Sequence, residues 1–301
     1  MTPKHARPQD YEYFVHSPYI FCHHSEADIS IFEHVYNGYI IGKKNERYND
    51  LICMIDTETS KKKKGNDNHV CAWTASFAAG DVPFLTVWGH KPSTLVSFLT
   101  AVKNRMQEGF FYIYIHNMGY DWVFLRKFMM KEWGEPVKAL NVKPYYPIRI
   151  DFANGIVLRD SLILAQRKLE KWAEDLDAPH KKAVGKWDYD KLRSQEEDYN
   201  QDELEYIEHD TLAGVECLIA TKNTLRKHLY AMPYTATGIP REESRKIGKK
   251  NNAKDRFSRM APSYEIQCIL EKVFHGGFTH ANRYFLGDII NKEWVEGMKD
   301  E

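Results

Sequence analysis

The sequence predicts an α/β domain built on a mixed sheet with helices against it. Three observations predict it. Short apolar runs fit buried strands, and longer stretches with apolar residues three and four apart fit helices. The two kinds interleave, strands first, through the middle of the chain. Acidic residues fall beside apolar segments and on the last long helix, where an unpaired carboxylate is costly.

The elements follow in order. Residues 50–56 form a short apolar run, Asp-Leu-Ile-Cys-Met-Ile-Asp, that fits a central strand delivering Asp56 at its end. Lys61, Lys62, Lys63 and Lys64, then Gly65 and Asn66, read as a turn. Residues 69–78 and 82–88 are expected as second and third strands of a meander. Residues 93–106 read as a helix, because Leu95, Phe98, Leu99, Val102 and Met106 share a face. A strand over 110–115, a helix over 122–131 and a hairpin over 149–159 around Asn154-Gly155 come next. Helices over 162–176 and 201–227 complete the domain.

The predicted organisation is an N-terminal segment, 1–50, without an assigned role, a domain over 51–234, and an incomplete segment over 235–301. Thr235-Ala236-Thr237-Gly238-Ile239-Pro240 marks the last boundary. A basic stretch follows: Arg241, Arg245, Lys246, Lys249, Lys250, Lys254, Arg256 and Arg259. It suits duplex or template binding, or a solvated linker. The formal net charge is zero over 301 residues, so any nucleic-acid surface must come from local segregation of charge. Cys22, Cys53, Cys71, Cys217 and Cys268 are dispersed, without a CxxC pair, as expected of reduced thiols in a cytoplasmic protein. The start, Met1-Thr2-Pro3-Lys4-His5, leads into no apolar stretch, so no secretory signal is expected, and no run is long enough to span a membrane. His16, Cys22, His23, His24 and His34 fit no compact zinc-finger spacing and read as ordinary surface and interface histidines.

The chemistry is concentrated in five residues: Asp56 and Glu58, Asp121, and Asp210 with Tyr206. Asp56 and Glu58 alternate along a strand and so leave it on one face. Tyr206 lies one helical turn before Asp210 on the same face. Hard carboxylate oxygens suit Mg²⁺ or Mn²⁺, and two such ions about 4 Å apart activate water and stabilise a leaving oxygen at a scissile phosphate. A lone Asp-x-Glu is common on surface strands, so the inference rests on co-occurrence in the right order.

Those residues carry a resemblance. Asp56-Thr57-Glu58-Thr59, Asn117-Met118-Gly119-Tyr120-Asp121 and Tyr206-Ile207-Glu208-His209-Asp210 resemble the Exo I, Exo II and Exo III motifs of family B DNA polymerases. They are most similar to the protein-primed branch, which includes phage phi29 and linear plasmids. Asp160-Ser161-Leu162 resembles that family's Ser/Thr-Leu motif. The resemblance implies a ribonuclease-H-like fold and 3′–5′ exonuclease activity on single-stranded DNA ends, with two Mg²⁺ or Mn²⁺. It makes Asp56, Glu58, Asp121 and Asp210 metal and catalytic carboxylates and Tyr206 the water-orienting phenol. Thr59, Asn117, Tyr120, Ser161 and Leu162 become contacts to the frayed 3′ end, with His116 and Phe124 facing the primer strand or a terminal protein. Lys182 and Lys186 are both candidates for the family's catalytic lysine. Glu205 stands where a related subclass has histidine, which favours the tyrosine subclass.

Phe274-His275-Gly276-Gly277-Phe278 resembles the Tyr-x-Gly-Gly motif that joins nuclease to polymerase, with Phe274 replacing tyrosine. Phe274, Gly276 and Gly277 are therefore expected to meet DNA. The family's later polymerase motifs do not occur, so DNA synthesis is not expected of this chain alone. The expected partners are a DNA 3′ end, a separate polymerase chain and a terminal protein. A non-catalytic docking subunit and a stand-alone ribonuclease are the competing readings. The first would bind a partner without hydrolysis, and the second would cleave RNA faster than DNA.

Overall fold

A computed structural model of the chain describes residues 12–35, 39–41, 46–61, 68–106, 109–143, 146–181, 187–188, 190–250, 263 and 265–266. The chain divides into two compact units, residues 1–239 and 240–301. Lys182, Lys186, Phe274, Gly276, Gly277 and Cys268 lie outside the described residues, as do Lys62 to Lys64 and the basic residues after Lys250.

The first unit opens with a short helix α1 (Glu12–Val15), a strand β1 (Ile20–His23) and a 3-10 turn, Ile29–His34, capped by Asp28 accepting from the Ser30 N–H at 2.9 Å. Phe14 and Phe32 bury their rings in the main core, so this segment belongs to the domain. A small ribbon, β2 (Tyr39–Ile41) with β3 (Glu46–Tyr48), precedes the central strands. These are β4 (Leu51–Lys61), β5 (Asn68–Ala79) and β6 (Val82–Gly89), the predicted meander. Helix α2 (Pro92–Arg105) starts with proline at its first turn, where the missing N–H costs nothing. Strand β7 (Phe111–Ile115), helix α3 (Met118–Trp133), strand β8 (Lys138–Lys143) and the hairpin β9 (Tyr146–Asp151) to β10 (Ile156–Asp160) follow. Two short helices, α4 (Ser161–Ala165) and α5 (Leu169–Asp175), lead to the long α6 (Gln201–Leu225). Helix α7 (Gly238–Lys250) carries the first basic residues of the tail.

Eight strands form one sheet in the order β1-β6-β5-β4-β7-β10-β9-β8. The central β4, β7 and β10 are parallel, β1 is parallel to β6, and the remaining pairs are antiparallel. This is the mixed sheet flanked by helices that the sequence predicts. Strand alternation divides the core in two. Cys53 and Ile55 of β4, with Phe111, Ile113 and Ile115 of β7, face the core built with α2 and α3. Ile52 and Met54, with Tyr112 and Tyr114, face the core built with α6. A sheet buried on both faces explains why β4 and β7 read as unbroken apolar runs.

Three elements differ from expectation. The strand predicted to end at Asp56 continues to Lys61, because β5 pairs with it as far as Lys61 opposite Asn68. What ends at Ile55, opposite Ile115, is the pairing with β7. The helix predicted over 162–176 is broken: Gln166 adopts φ 54° and caps α4, its N–H donating to the Leu162 carbonyl at 2.6 Å. Helix α3 begins at Met118 rather than 122, so Asp121 falls in its first turn.

Candidate metal and active site

The parallel pairing of β4, β7 and β10 ends side by side, with Ile115 opposite both Ile55 and Asp160. Crevices outside the carboxyl ends of parallel strands are the usual ligand sites of α/β sheets, because the chain diverges there. Asp56 is the first residue of β4 beyond the β7 pairing. Glu58 follows on the same face, immediately before a register shift between Glu58 and Thr59 in the pairing with β5. A bulge at this point re-aims the side chains that follow it.

Helix α6 brings the third acid. It starts with a capping box: Asn200 Oδ1 accepts from the Glu203 N–H at 2.9 Å, and the Asn200 N–H donates to Glu203 Oε2 at 3.1 Å. It then crosses β4 closely at Gly214, where an added Cβ would clash with Met54 Sδ. Gly214 lies one turn after Asp210, and Met54 lies two residues before Asp56, so this approach sets the spacing of the two acids. Thr211 adds a polar tie: its hydroxyl meets Ser76 Oγ at 2.7 Å, and Ser76 meets Thr86 Oγ1 at 2.6 Å, joining α6 to β5 and β6.

Ligand oxygens of Asp56, Glu58 and Asp210 consequently lie within 4.8 Å of one another. Glu58 is 8% exposed and Asp210 3%, while Asp56 is half-buried. Three carboxylates this close resist simultaneous ionisation unless a cation or shared protons offset the repulsion. The donor set is all carboxylate oxygen with no thiolate or imidazole, which fits a hard divalent ion such as Mg²⁺ or Mn²⁺.

Asp121 stands outside this group. It is 2% exposed on α3, and its Oδ1 accepts from the Thr57 hydroxyl at 2.5 Å. Thr57 leaves β4 on the face opposite to Asp56 and Glu58. Burial is the main cause that raises the Asp121 carboxyl to about 7, with the nearby Asp160 carboxylate adding to it and the Thr57 hydrogen bond opposing it.

The turn carrying Asn117 is held by a residue whose role the sequence reading left unassigned. Asp160 accepts from the Leu162 N–H at 2.6 Å, the Ile163 N–H at 3.2 Å and the Met118 N–H at 3.0 Å. One carboxylate thus caps α4 and ties it to the start of α3, where Asn117 takes φ 73°. Asp-Ser-Leu before a helix is itself an N-cap signal. Ser161, fully buried, meets His116 Nδ1 at 3.1 Å, and Leu162 is half-buried beside it. Thr59 and Tyr120 join their hydroxyls at 2.6 Å, and Tyr120, 45% exposed, meets the Phe124 ring edge-on at 5.3 Å. Tyr206 is buried and stacks on Trp187 at 5.7 Å.

The histidines assemble differently. His23 and His24 pack their rings on Trp88 and Trp73. His34 stacks on Tyr13. Among the described residues the three carboxylates form the one group of metal-ligand spacing. Nor is any described helix long and apolar enough to cross a membrane.

No protein-family model matches the chain, and no curated protein matches it. Its fold is nevertheless similar to part of a solved DNA polymerase. Phi29 DNA polymerase complexed with single-stranded DNA matches with a TM-score of 0.59 and 18% identity, over 78% of this chain and 41% of the polymerase chain. The same polymerase with primer-template DNA and incoming nucleotides matches at 0.55 and 20% identity, over 78% and 41%. Its post-translocation complex with primer-template DNA matches at 0.58 and 17% identity, over 76% and 40%. The chain therefore spans about two fifths of the polymerase it resembles.

Proposed function

We propose that this chain is the 3′–5′ exonuclease module of a protein-primed family B DNA polymerase, hydrolysing single-stranded DNA from its 3′ end with two divalent ions, Mg²⁺ or Mn²⁺. The observation that carries the reading is the meeting of Asp56, Glu58 and Asp210 at the carboxyl end of the parallel strands. The fold it occurs in is shared with a polymerase that has been seen bound to single-stranded DNA.

Bound divalent ions supply a water of lowered pKa and stabilise charge on the leaving oxygen. Asp56, Glu58 and Asp210 would hold them. Tyr206 orients the attacking water from the same helix face as Asp210. Asp121 would be the fourth carboxylate, and a cation held near it would favour its ionised form against the burial that raises it. Thr59, Asn117, Tyr120 and Leu162 receive the frayed strand, with the Tyr120 and Phe124 rings offering base-stacking faces, while Ser161, fully buried, braces that turn through His116 rather than meeting the strand itself. DNA synthesis is not part of the proposal.

The test is release of mononucleotides from a 5′-labelled single-stranded oligonucleotide with Mg²⁺, comparing the natural chain with Asp56→Ala/Glu58→Ala. A 3′-to-5′ ladder made only by the natural chain is expected. Identical products from both, or none from either with Mg²⁺ or Mn²⁺, would defeat the reading.

A further inference from the structure

The loop between α5 and α6 holds a buried arginine that the chemistry above does not use. The Arg193 side chain is 1% exposed, and its guanidinium meets the Glu203 carboxylate at 2.6 Å. So complete a burial is poor value as a stabiliser, because desolvation offsets most of the attraction. Its neighbours give it another purpose. The Arg193 N–H donates to Ser60 Oγ at 2.9 Å, two residues beyond Glu58 on β4. Glu203 lies three residues before Tyr206 on α6. Arg193 therefore bridges the two elements that bear the acids.

Its guanidinium also lies over the Trp187 indole, 4.0 Å from the ring centroid, and its Nη1 donates to the Asp188 carbonyl. Trp187 in turn stacks with Tyr206, the ring planes 28° apart. The buried indole N–H has no acceptor among the described residues, and the ring itself is flanked by Arg193, Tyr199 and Tyr206.

We propose that Arg193 is a positioning residue for the Tyr206 phenol, acting through the Trp187 indole and through Glu203. The proposal rests on the nuclease reading, in which Tyr206 orients the attacking water. A phenol on a ring free to tilt would miss that water while leaving DNA binding and the carboxylates intact. Lysine at 193 keeps the charge but not the planar face that covers the indole.

The experiment measures kcat and KM for nucleotide release with Mg²⁺ in Arg193→Lys, Tyr206→Phe and the double variant. Loss of one hydrogen bond to the transition state predicts about a tenfold fall in kcat for Arg193→Lys, at unchanged KM. In the Tyr206→Phe background the same change should cost nothing more. Equal losses in both backgrounds, a change confined to KM, or an unchanged kcat would overturn the assignment. If Arg193→Lys does not fold, Trp187→Phe enters the same cycle and is judged by the same outcomes. A crystal structure of the folded variant decides independently of activity: a displaced Tyr206 ring is expected, and an unmoved ring refutes the link. A natural chain no more active than Asp56→Ala would count against the nuclease reading, and the ring position would then judge Arg193 alone.

Discussion

The two faces of β4 treat a carboxylate in opposite ways. On the α6 face, Asp56 and Glu58 meet Asp210 in a group that only positive charge or protons can relieve. On the α3 face, Asp121 accepts from the Thr57 hydroxyl, and burial raises its carboxyl to about 7. The faces differ by one residue of strand, yet one gathers negative charge and the other suppresses it. Sequence adjacency therefore says little about electrostatic role; the face does.

The largest expected effect comes from breaking the acidic face. Asp56→Ala or Asp210→Asn should lower hydrolysis by about 10³-fold, since stabilisation of charge in the transition state is lost. A folded Asp210→Asn protein with near-normal rates would remove that residue from the site.

The α3 face makes the opposite forecast. Asp121 binds its proton more tightly folded than unfolded, so its contribution to stability without metal is lost as pH rises from about 4 to about 7 and levels off above. At full extent the loss is on the order of a few kcal/mol. Asp121→Asn should therefore gain more stability over the natural chain at pH 8 than at pH 5, measured by urea unfolding in EDTA. An equal difference at both pH values would show that Asp121 is not so perturbed.

Smaller effects sharpen the contrast. Gly214→Ala overpacks α6 against Met54 and should cost about 1–3 kcal/mol, with a fall in hydrolysis as Asp210 is pushed from Asp56. Unchanged melting and rate would mean that Met54 repacks freely. Thr57→Val removes the hydroxyl donor from a buried carboxyl that keeps its backbone N–H donors, and should cost about 1 kcal/mol, more at pH 8 than at pH 5. The smallest effect is that of Tyr120→Phe, which removes the half-exposed hydroxyl pair with Thr59 and should change stability by less than about 1 kcal/mol. A large loss there would make that pair part of what holds the fold together.

Much of this was legible beforehand. The meander, the hairpin around Asn154-Gly155 and helix α6 follow from periodicity and turn residues. Asp56, Glu58 and Asp210 were picked out by their order beside apolar segments, and the structure brings those three together. β8 was missed because Lys138-Ala139-Leu140-Asn141-Val142-Lys143 is a mostly exposed edge strand with no apolar run. The break at Gln166 was missed because its αL conformation comes without a glycine to announce it. Gly214 did leave a trace: a glycine inside a long helix costs about 1 kcal/mol against alanine, which suggests a close contact but not with what.

The sequence by itself determined which residues carry charge, their spacing along strand and helix, and so the class of fold and the acids to examine. Those are local properties, fixed by periods of two and of 3.6 residues. Only the tertiary structure decided that Asp210 joins Asp56 and Glu58 while Asp121 faces Thr57. It alone placed Arg193 between β4 and α6. Each of those outcomes depends on a helix packing on one side of a sheet, through contacts such as Gly214 with Met54 that lie far apart in the chain.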